Sequence, residues 1–152
     1  MINKLDLSGE WLLCLDKECK GTDLVFDDTI NLPKTTSNAK KGEYNTKRET
    51  GFLTDTYKFE GFVWFRKNVD FSALQCENLK LYLERTRITE LYIDGKKIGR
   101  QESLCTPHIY DLNEYIGTGI HEMTICVSNV GYKTKGGHLT SPDTQTNWNG
   151  IT

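Results

Sequence analysis

The densest collection of reactive and hydrogen-bonding groups in this sequence lies near its carboxyl end. Asp143, Thr144, Gln145, Asn147, Trp148 and Asn149 gather carboxylate, hydroxyl and amide groups around one indole. Planar amides and carboxylates hydrogen-bond hydroxyl groups, while an aromatic face packs against the C–H side of a sugar ring. The set is therefore equipped to hold a carbohydrate. Asp143, Gln145, Asn147 and Trp148 are the candidate sugar-binding residues, together with His138 upstream in the same polar stretch. The competing reading is an ordered loop with Trp148 tucked against the body of the protein, and the two are compatible.

Other chemistries find less support. A serine nucleophile needs a base and an orienting acid, and no G-x-S-x-G elbow is present. His108, His121 and His138 lack the spacing of metal ligands. The run from Gly131 imitates a phosphate-binding loop as far as Gly136. Gly137 then stands where lysine is required, and His138 where Ser or Thr is required. Asp27-Asp28 has carboxylates for calcium but no D-x-[DN]-x-[DN]-G frame, so a solvated turn is expected. Glu84 and Glu90 are the tempting pair for glycoside cleavage, which needs two carboxyl groups facing across a set gap. On adjacent strands they are expected to face solvent, or Arg85 and Arg87. No catalytic residue, metal or cofactor is expected.

These groups must be positioned by strands. In Leu79 to Glu84, leucines at 79, 81 and 83 alternate with Lys80, Tyr82 and Glu84, the period of two of a strand with one buried face. After the polar bend Thr86-Arg87, Leu91 and Ile93 alternate with Glu90 and Tyr92, and Asp94-Gly95 marks a two-residue hairpin into Lys96 to Gly99. Upstream, Trp11, Leu13 and Leu15 share one face of a strand, with Leu12 and Cys14 on the other. Apolar residues on both sides predict a strand between two layers. Leu24 to Phe26 and Thr29 to Leu32 are short strand candidates, the second closed by Pro33.

Lys34 to Lys58 is poor in aliphatic residues and reads as one long surface excursion, of the kind that is usually functional or disordered. Phe62 to Phe71 follows as the most aromatic strand, with Val63, Phe65 and Val69 on one face and Phe62, Trp64, Arg66 and Asn68 on the other. His108 to Tyr110 is a short strand, Asp111 caps the turn Leu112 to Ile116, and Met123, Ile125 and Val127 define the last clear strand. From Gly131 the polar stretch runs to Thr152 without a closing element. No sustained helical period appears, so the class is all-β, a sandwich or jelly roll of roughly eight or more short strands.

Size and charge narrow the partners. The 152 residues suit one domain spanning 1–152, and a net charge of −2 without a basic aromatic stripe argues against nucleic acid. No apolar run suggests a membrane span, and Met1 to Ser8 lacks the apolar core of a signal peptide. That leaves a cytoplasmic protein, or an exported one whose leader is not in this sequence. The five cysteines Cys14, Cys19, Cys76, Cys105 and Cys126 form no C-x-x-C pair and are expected to be free thiols.

The order of motifs resembles a known family. Ser8-Gly9-Glu10-Trp11, Leu32-Pro33 and Glu60 to Lys67 are followed by Leu91 to Gly99, Thr106-Pro107-His108, Asp111-Leu112 and Asp143 to Ile151. Together they are similar to the amino-terminal sugar-binding domain of glycoside hydrolase family 2, which includes β-galactosidases, β-glucuronidases and β-mannosidases. Asp94 stands where that family usually has Asn, and Phe65 where it often has Tyr. The resemblance implies a galactose-binding-like jelly roll that precedes an immunoglobulin-like domain and a (β/α)8 barrel. In that family the barrel carries both catalytic carboxylates, so this domain is non-catalytic and positions carbohydrate for a β-galactosidase-like parent. Polar residues beside the tryptophan of the last motif, here Gln145, Thr146 and Asn147, reach toward the sugar subsite in some members. Arg66 matches a family position but is expected in a structural ion pair with Glu84 or Asp111. Alternatives are a free-standing lectin-like module using Trp148 and the Lys34 to Lys58 excursion, or an accessory domain of a sialic acid esterase.

Overall fold

A computed structural model describes residues 4–46, 55–74, 77–131 and 148–152, and these contain strands and turns but no helix. The principal strands are β1 (Gly9–Asp16), β2 (Asp28–Leu32), β6 (Phe62–Asp70), β8 (Ile88–Ile93), β9 (Lys96–Gln101) and β11 (Ile120–Ser128). They form one antiparallel sheet in the order β2-β1-β6-β11-β8-β9. Against it packs a second layer made of β7 (Lys80–Leu83) with β10 (His108–Asp111), and β3 (Lys34–Thr35) with β12 (Gly150–Ile151). A small hairpin of β4 (Glu43–Tyr44) and β5 (Tyr57–Lys58) lies within the excursion. The jelly-roll sandwich expected from the alternation is the fold observed.

The predicted faces are those the core uses. Trp11, Leu13, Val63, Phe65, Val69, Leu91, Met123, Ile125 and Val127 of the large sheet meet Leu81, Leu83 and Tyr110 of the smaller layer. β6 and β11 lie at the centre, paired from Ile120↔Asp70 to Ser128↔Phe62. Lys67 shares the inward parity of Phe65, but its amine turns away to the Leu7 and Ser8 carbonyls at 3.4 and 3.1 Å, where it also lies 5.7 Å from the Trp11 ring centroid. Asp94 and Gly95 both have positive φ, 49° and 77°, as a type I′ turn requires.

The outer face of the large sheet carries a second apolar cluster, Cys14, Trp64 and Cys126, under Leu24, Phe26 and Phe62. Leu24 to Phe26, expected as a strand, is irregular chain instead. Its apolar residues cover Trp64 rather than pair in a ladder, which satisfies the same hydrophobic demand. Arg66 does not meet Glu84 or Asp111. Its guanidinium lies 4.0 Å from the Phe26 ring centroid, with Glu122 at 3.5 Å and Thr124 at 3.2 Å. Parity is the reason: Arg66 points to the outer face, whereas Glu84 and Asp111 belong to the other layer. Glu90 likewise meets Lys97 at 2.7 Å and the Tyr92 hydroxyl at 2.8 Å, not Arg85 or Arg87, while Glu84 is exposed. Burial opposes the charge on Glu90, but these partners outweigh it and hold the carboxyl below its usual range. Cys14, Cys19, Cys105 and Cys126 are free thiols.

His108 is wholly buried between the layers. Its Nε2 donates to the Ser103 carbonyl at 2.8 Å, since a carbonyl can only accept. In the neutral ring Nδ1 is then an acceptor, and the Thr89 hydroxyl 2.5 Å away donates to it, while the Tyr110 hydroxyl sits 2.7 Å from the same Thr89 oxygen. Burial pushes the His108 pKa down, against the weaker opposing effect of the Ser103 carbonyl. The unfolded chain therefore takes up this proton first, and stability should fall as pH drops below about 6.5. Urea denaturation at pH 7.5 and 5.5 should show that loss, and His108→Gln should flatten it; an equal pH slope in the variant would contradict the assignment.

Candidate functional site

Trp148, the candidate that falls among the described residues, belongs to one end of the sandwich. β1 ends there at Asp16, β11 ends at Ser128, and β6 and β8 begin at Phe62 and Ile88, as the pairs Asp16↔Phe62 and Ser128↔Ile88 show. The bend between β7 and β8, the approach to β6 and the segment before β12 therefore converge. Trp148 is placed at this convergence. Asp143, Gln145, Asn147 and His138 lie outside the described residues, as do Thr144, Thr146 and Cys76.

Main-chain and side-chain bonds clamp the segment that carries Trp148. Asn149 is buried, its Nδ2 donating to the Phe59 carbonyl at 3.2 Å, and its own carbonyl accepts from the Thr36 amide at 2.9 Å. Asn129, also buried, donates to the same Phe59 carbonyl at 2.9 Å, and its Oδ1 accepts from the Gly61 amide at 3.1 Å. Thr86 Oγ1 donates to the Gly150 carbonyl at 2.9 Å. Three distant parts of the chain thus hold one short segment.

Trp148 is half-buried, with the Arg87 guanidinium 5.0 Å from its ring centroid, within the range of a cation–π contact. Neither loose exposure nor complete burial describes it. Arg87 was expected to face Glu84 or Glu90 at the surface, yet it is 6% exposed. The bend turns it inward because β7 and β8 belong to different layers, so Thr86-Arg87 crosses from one to the other instead of closing a hairpin.

The described part of the excursion, residues 34–46 and 55–58, is more ordered than its composition suggests. Thr36 and Asn45 are buried, the Ala39 amide donates to the Thr35 carbonyl at 3.0 Å, and the Asn45 amide to the Thr56 carbonyl at 2.8 Å. Asp28, one of the adjacent pair Asp27-Asp28, is held by Lys41 Nζ at 2.6 Å. Asp55 is a residue that sequence reasoning missed. Burial pushes its carboxyl pKa up, partly opposed by a hydrogen bond from Ser37. No local sequence signal marks it, because its burial depends on the docking of the surrounding excursion. A carboxyl bonded to one serine is a polar contact within this wall, not an acid facing a base.

What the arrangement can do is present one edge or face of an indole, braced by a guanidinium, at the rim of a rigid loop cluster. That suits packing against the C–H face of a hydroxyl-bearing ring.

No family model matches the chain. A protein of Formosa agariphila named "Putative beta-glucuronidase" is 29% identical over 132 residues, which is 83% of this chain and 15% of that protein. Among solved structures, a β-glucuronidase from an uncultured Clostridium aligns with 99% of this chain and 29% of its own, at 17% identity and a TM-score of 0.64. Those of Faecalibacterium prausnitzii and Ruminococcus gnavus give TM-scores of 0.62 and 0.61, at 18% and 14% identity, over 84% and 95% of this chain but only 21% and 26% of theirs. These structures share the fold, and the resemblance drawn from the motif order to the amino-terminal domain of glycoside hydrolase family 2 stands. The chain spans less than a third of the length of each of these relatives.

The clamp makes a prediction. Gly150 has φ of +138°, and a Cβ there would lie 2.5 Å from the Lys34 carbonyl oxygen. Gly150→Ala should lower stability by about 2 kcal/mol or more, through strain and through separation of β12 from β3. Gly117→Ala, with nothing within 4 Å of its added Cβ, should change it little. Thermal unfolding followed by circular dichroism would compare them, and equal midpoints would refute the close approach.

Proposed function

We propose that this chain is the non-catalytic carbohydrate-positioning domain of a longer glycoside hydrolase, one that acts on β-glucuronides. The carrying observation is the half-buried Trp148 ring, braced by Arg87 and held on a clamped segment at the loop end of the sandwich. An indole so fixed can form one wall of a sugar site. It does not make a strong site alone, because a single stacking surface open to water suits affinities near millimolar, about −4 kcal/mol. The remaining walls, and the two carboxylates that glycoside cleavage needs, are supplied in this reading by further domains, an immunoglobulin-like domain and a (β/α)8 barrel.

The names of the relatives move the substrate from the β-galactosides of the motif-based reading to β-glucuronides. Their lengths support a division of labour, since this chain accounts for a modest fraction of each. Fold alone does not fix activity, so the substrate rests on the names and the positioning role on the loop end.

The test is turnover of 4-nitrophenyl β-glucuronide. The longer protein should release nitrophenol and the 152-residue chain should not, and Trp148→Ala in the longer protein should lower kcat/KM by about tenfold, near 1.4 kcal/mol, without a matching loss of thermal stability. Turnover by the chain alone, or full activity in the tryptophan variant, would overturn the proposed role. Saturable binding of glucuronic acid, galactose or mannose to the isolated chain well below millimolar would favour the lectin reading instead.

A further inference from the structure

The hairpin of β4 and β5 turns its aromatic residues toward water. Tyr44↔Tyr57 is a cross-strand pair whose ring centroids lie 5.7 Å apart with the planes at 86°, edge to face. Even so, Tyr44 is 58% exposed and Tyr57 only half-buried. The neighbours of Tyr44 along the chain make the attachments. Glu43 meets Lys17 Nζ at 2.9 Å, and Asn45 is buried, its amide donating to the Thr56 carbonyl at 2.8 Å. Side chains alternate in direction along a strand, so Glu43 and Asn45 take one face of the hairpin and the two tyrosines the other. A hairpin ordinarily buries its aromatic face and wets its polar one, and this one does the reverse.

The same hairpin hangs from the anchor of Trp148. A Cβ added at Gly42 would collide with the Lys58 carbonyl, so the chain entering β4 is pressed closely against the end of β5. Phe59 follows β5 directly, and its carbonyl accepts from Asn149 Nδ2 at 3.2 Å. Asn149 in turn adjoins Trp148. By way of that bond the Tyr57 and Trp148 backbones are at most roughly 20 Å apart, before either side chain reaches out. A short chain of linked sugar rings covers such a span.

We propose that Tyr44 and Tyr57 form a second stacking surface, which takes the ring linked to the one at Trp148, the next sugar of a glucuronide-bearing oligosaccharide. The inference deepens the carbohydrate-positioning reading and rests on it. Edge-to-face packing sets the angle between the two rings before a ligand arrives, and the exposed Tyr44 offers a ring face to C–H groups and a hydroxyl that both donates and accepts. Two rings are too small a surface for a stable protein contact, which needs about 800 Å² on each side. A second sugar suits them better, because once the first ring is held its neighbour binds without a fresh loss of translational freedom.

The test titrates the 152-residue chain, isotope-labelled for nuclear magnetic resonance, with glucuronic acid and with the disaccharide β-glucuronosyl glucose. The disaccharide should shift the Tyr44 and Tyr57 amide signals together with the Trp148 indole signal, and bind about fivefold more tightly than glucuronic acid. Replacing both tyrosines, Tyr44→Ala with Tyr57→Ala, should abolish that advantage and leave glucuronic acid binding unchanged, whereas Tyr44→Phe should keep most of it. Circular dichroism checks the fold of the double variant. If it unfolds, Tyr44→Ala alone, which removes an exposed ring, replaces it under the same criterion. Silent tyrosine signals, a disaccharide that binds no better than glucuronic acid, or an advantage that survives the alanine substitutions overturns the proposal. The tyrosine signals are read without any turnover, so failure of this subsite and failure of the proposed activity are separately visible.

Discussion

The pairing of β6 with β11, from Ile120↔Asp70 to Ser128↔Phe62, is the constraint from which the rest of the molecule follows. Both strands are buried on two faces for much of their length. Val63, Phe65, Ile125 and Val127 face the core, while Trp64 and Cys126 face the outer cluster. A slip of one residue would exchange these sets and carry Arg66 and Thr124 into the core, so the register is strongly specified. It fixes where Phe62 and Ser128 end, and thereby where the loops that hold Trp148 depart and return.

The loop end gains its rigidity from main-chain groups more than from ion pairs. Phe59, Gly61, Asn129 and Asn149 form a small polar knot with good hydrogen-bond distances, and Thr36 and Thr86 fasten the chain around it. Buried hydrogen bonds of this kind contribute about 1 kcal/mol each, but leaving one group unsatisfied costs more, so the knot resists partial opening. The exposed pairs Lys17–Glu43 and Lys41–Asp28 add little by comparison. In the proposed role of positioning a sugar ring this stiffness would matter, because small displacements of a positioning group are costly in rate.

Among the described residues the two layers differ in completeness. The large sheet is continuous over six strands, whereas the smaller layer is two short pairs joined through Arg85 and Thr152. The loop end draws on both, since the Trp148 segment is held through β12 and Thr36 as well as by the ends of β6 and β11.

The sequence by itself determined the class, the strands and their faces. Alternation at Leu81-Leu83, Val63-Phe65 and Met123 to Val127 is a local property of side chains on a pleated backbone, and Asp94-Gly95 needs only its own φ values. The tryptophan of the tail stood out by residue type, and the fold places it half-buried beside Arg87. Partners across space were not. Arg66 with Phe26 and Glu122, Arg87 over Trp148, the raised pKa of Asp55 and the irregular course of Leu24 to Phe26 were decided by which strands became neighbours. A period of two states that a residue faces in or out but not what it meets there, because the layer that β7 joins, and the turn of Thr86-Arg87 between layers, depend on contacts among residues far apart in the chain.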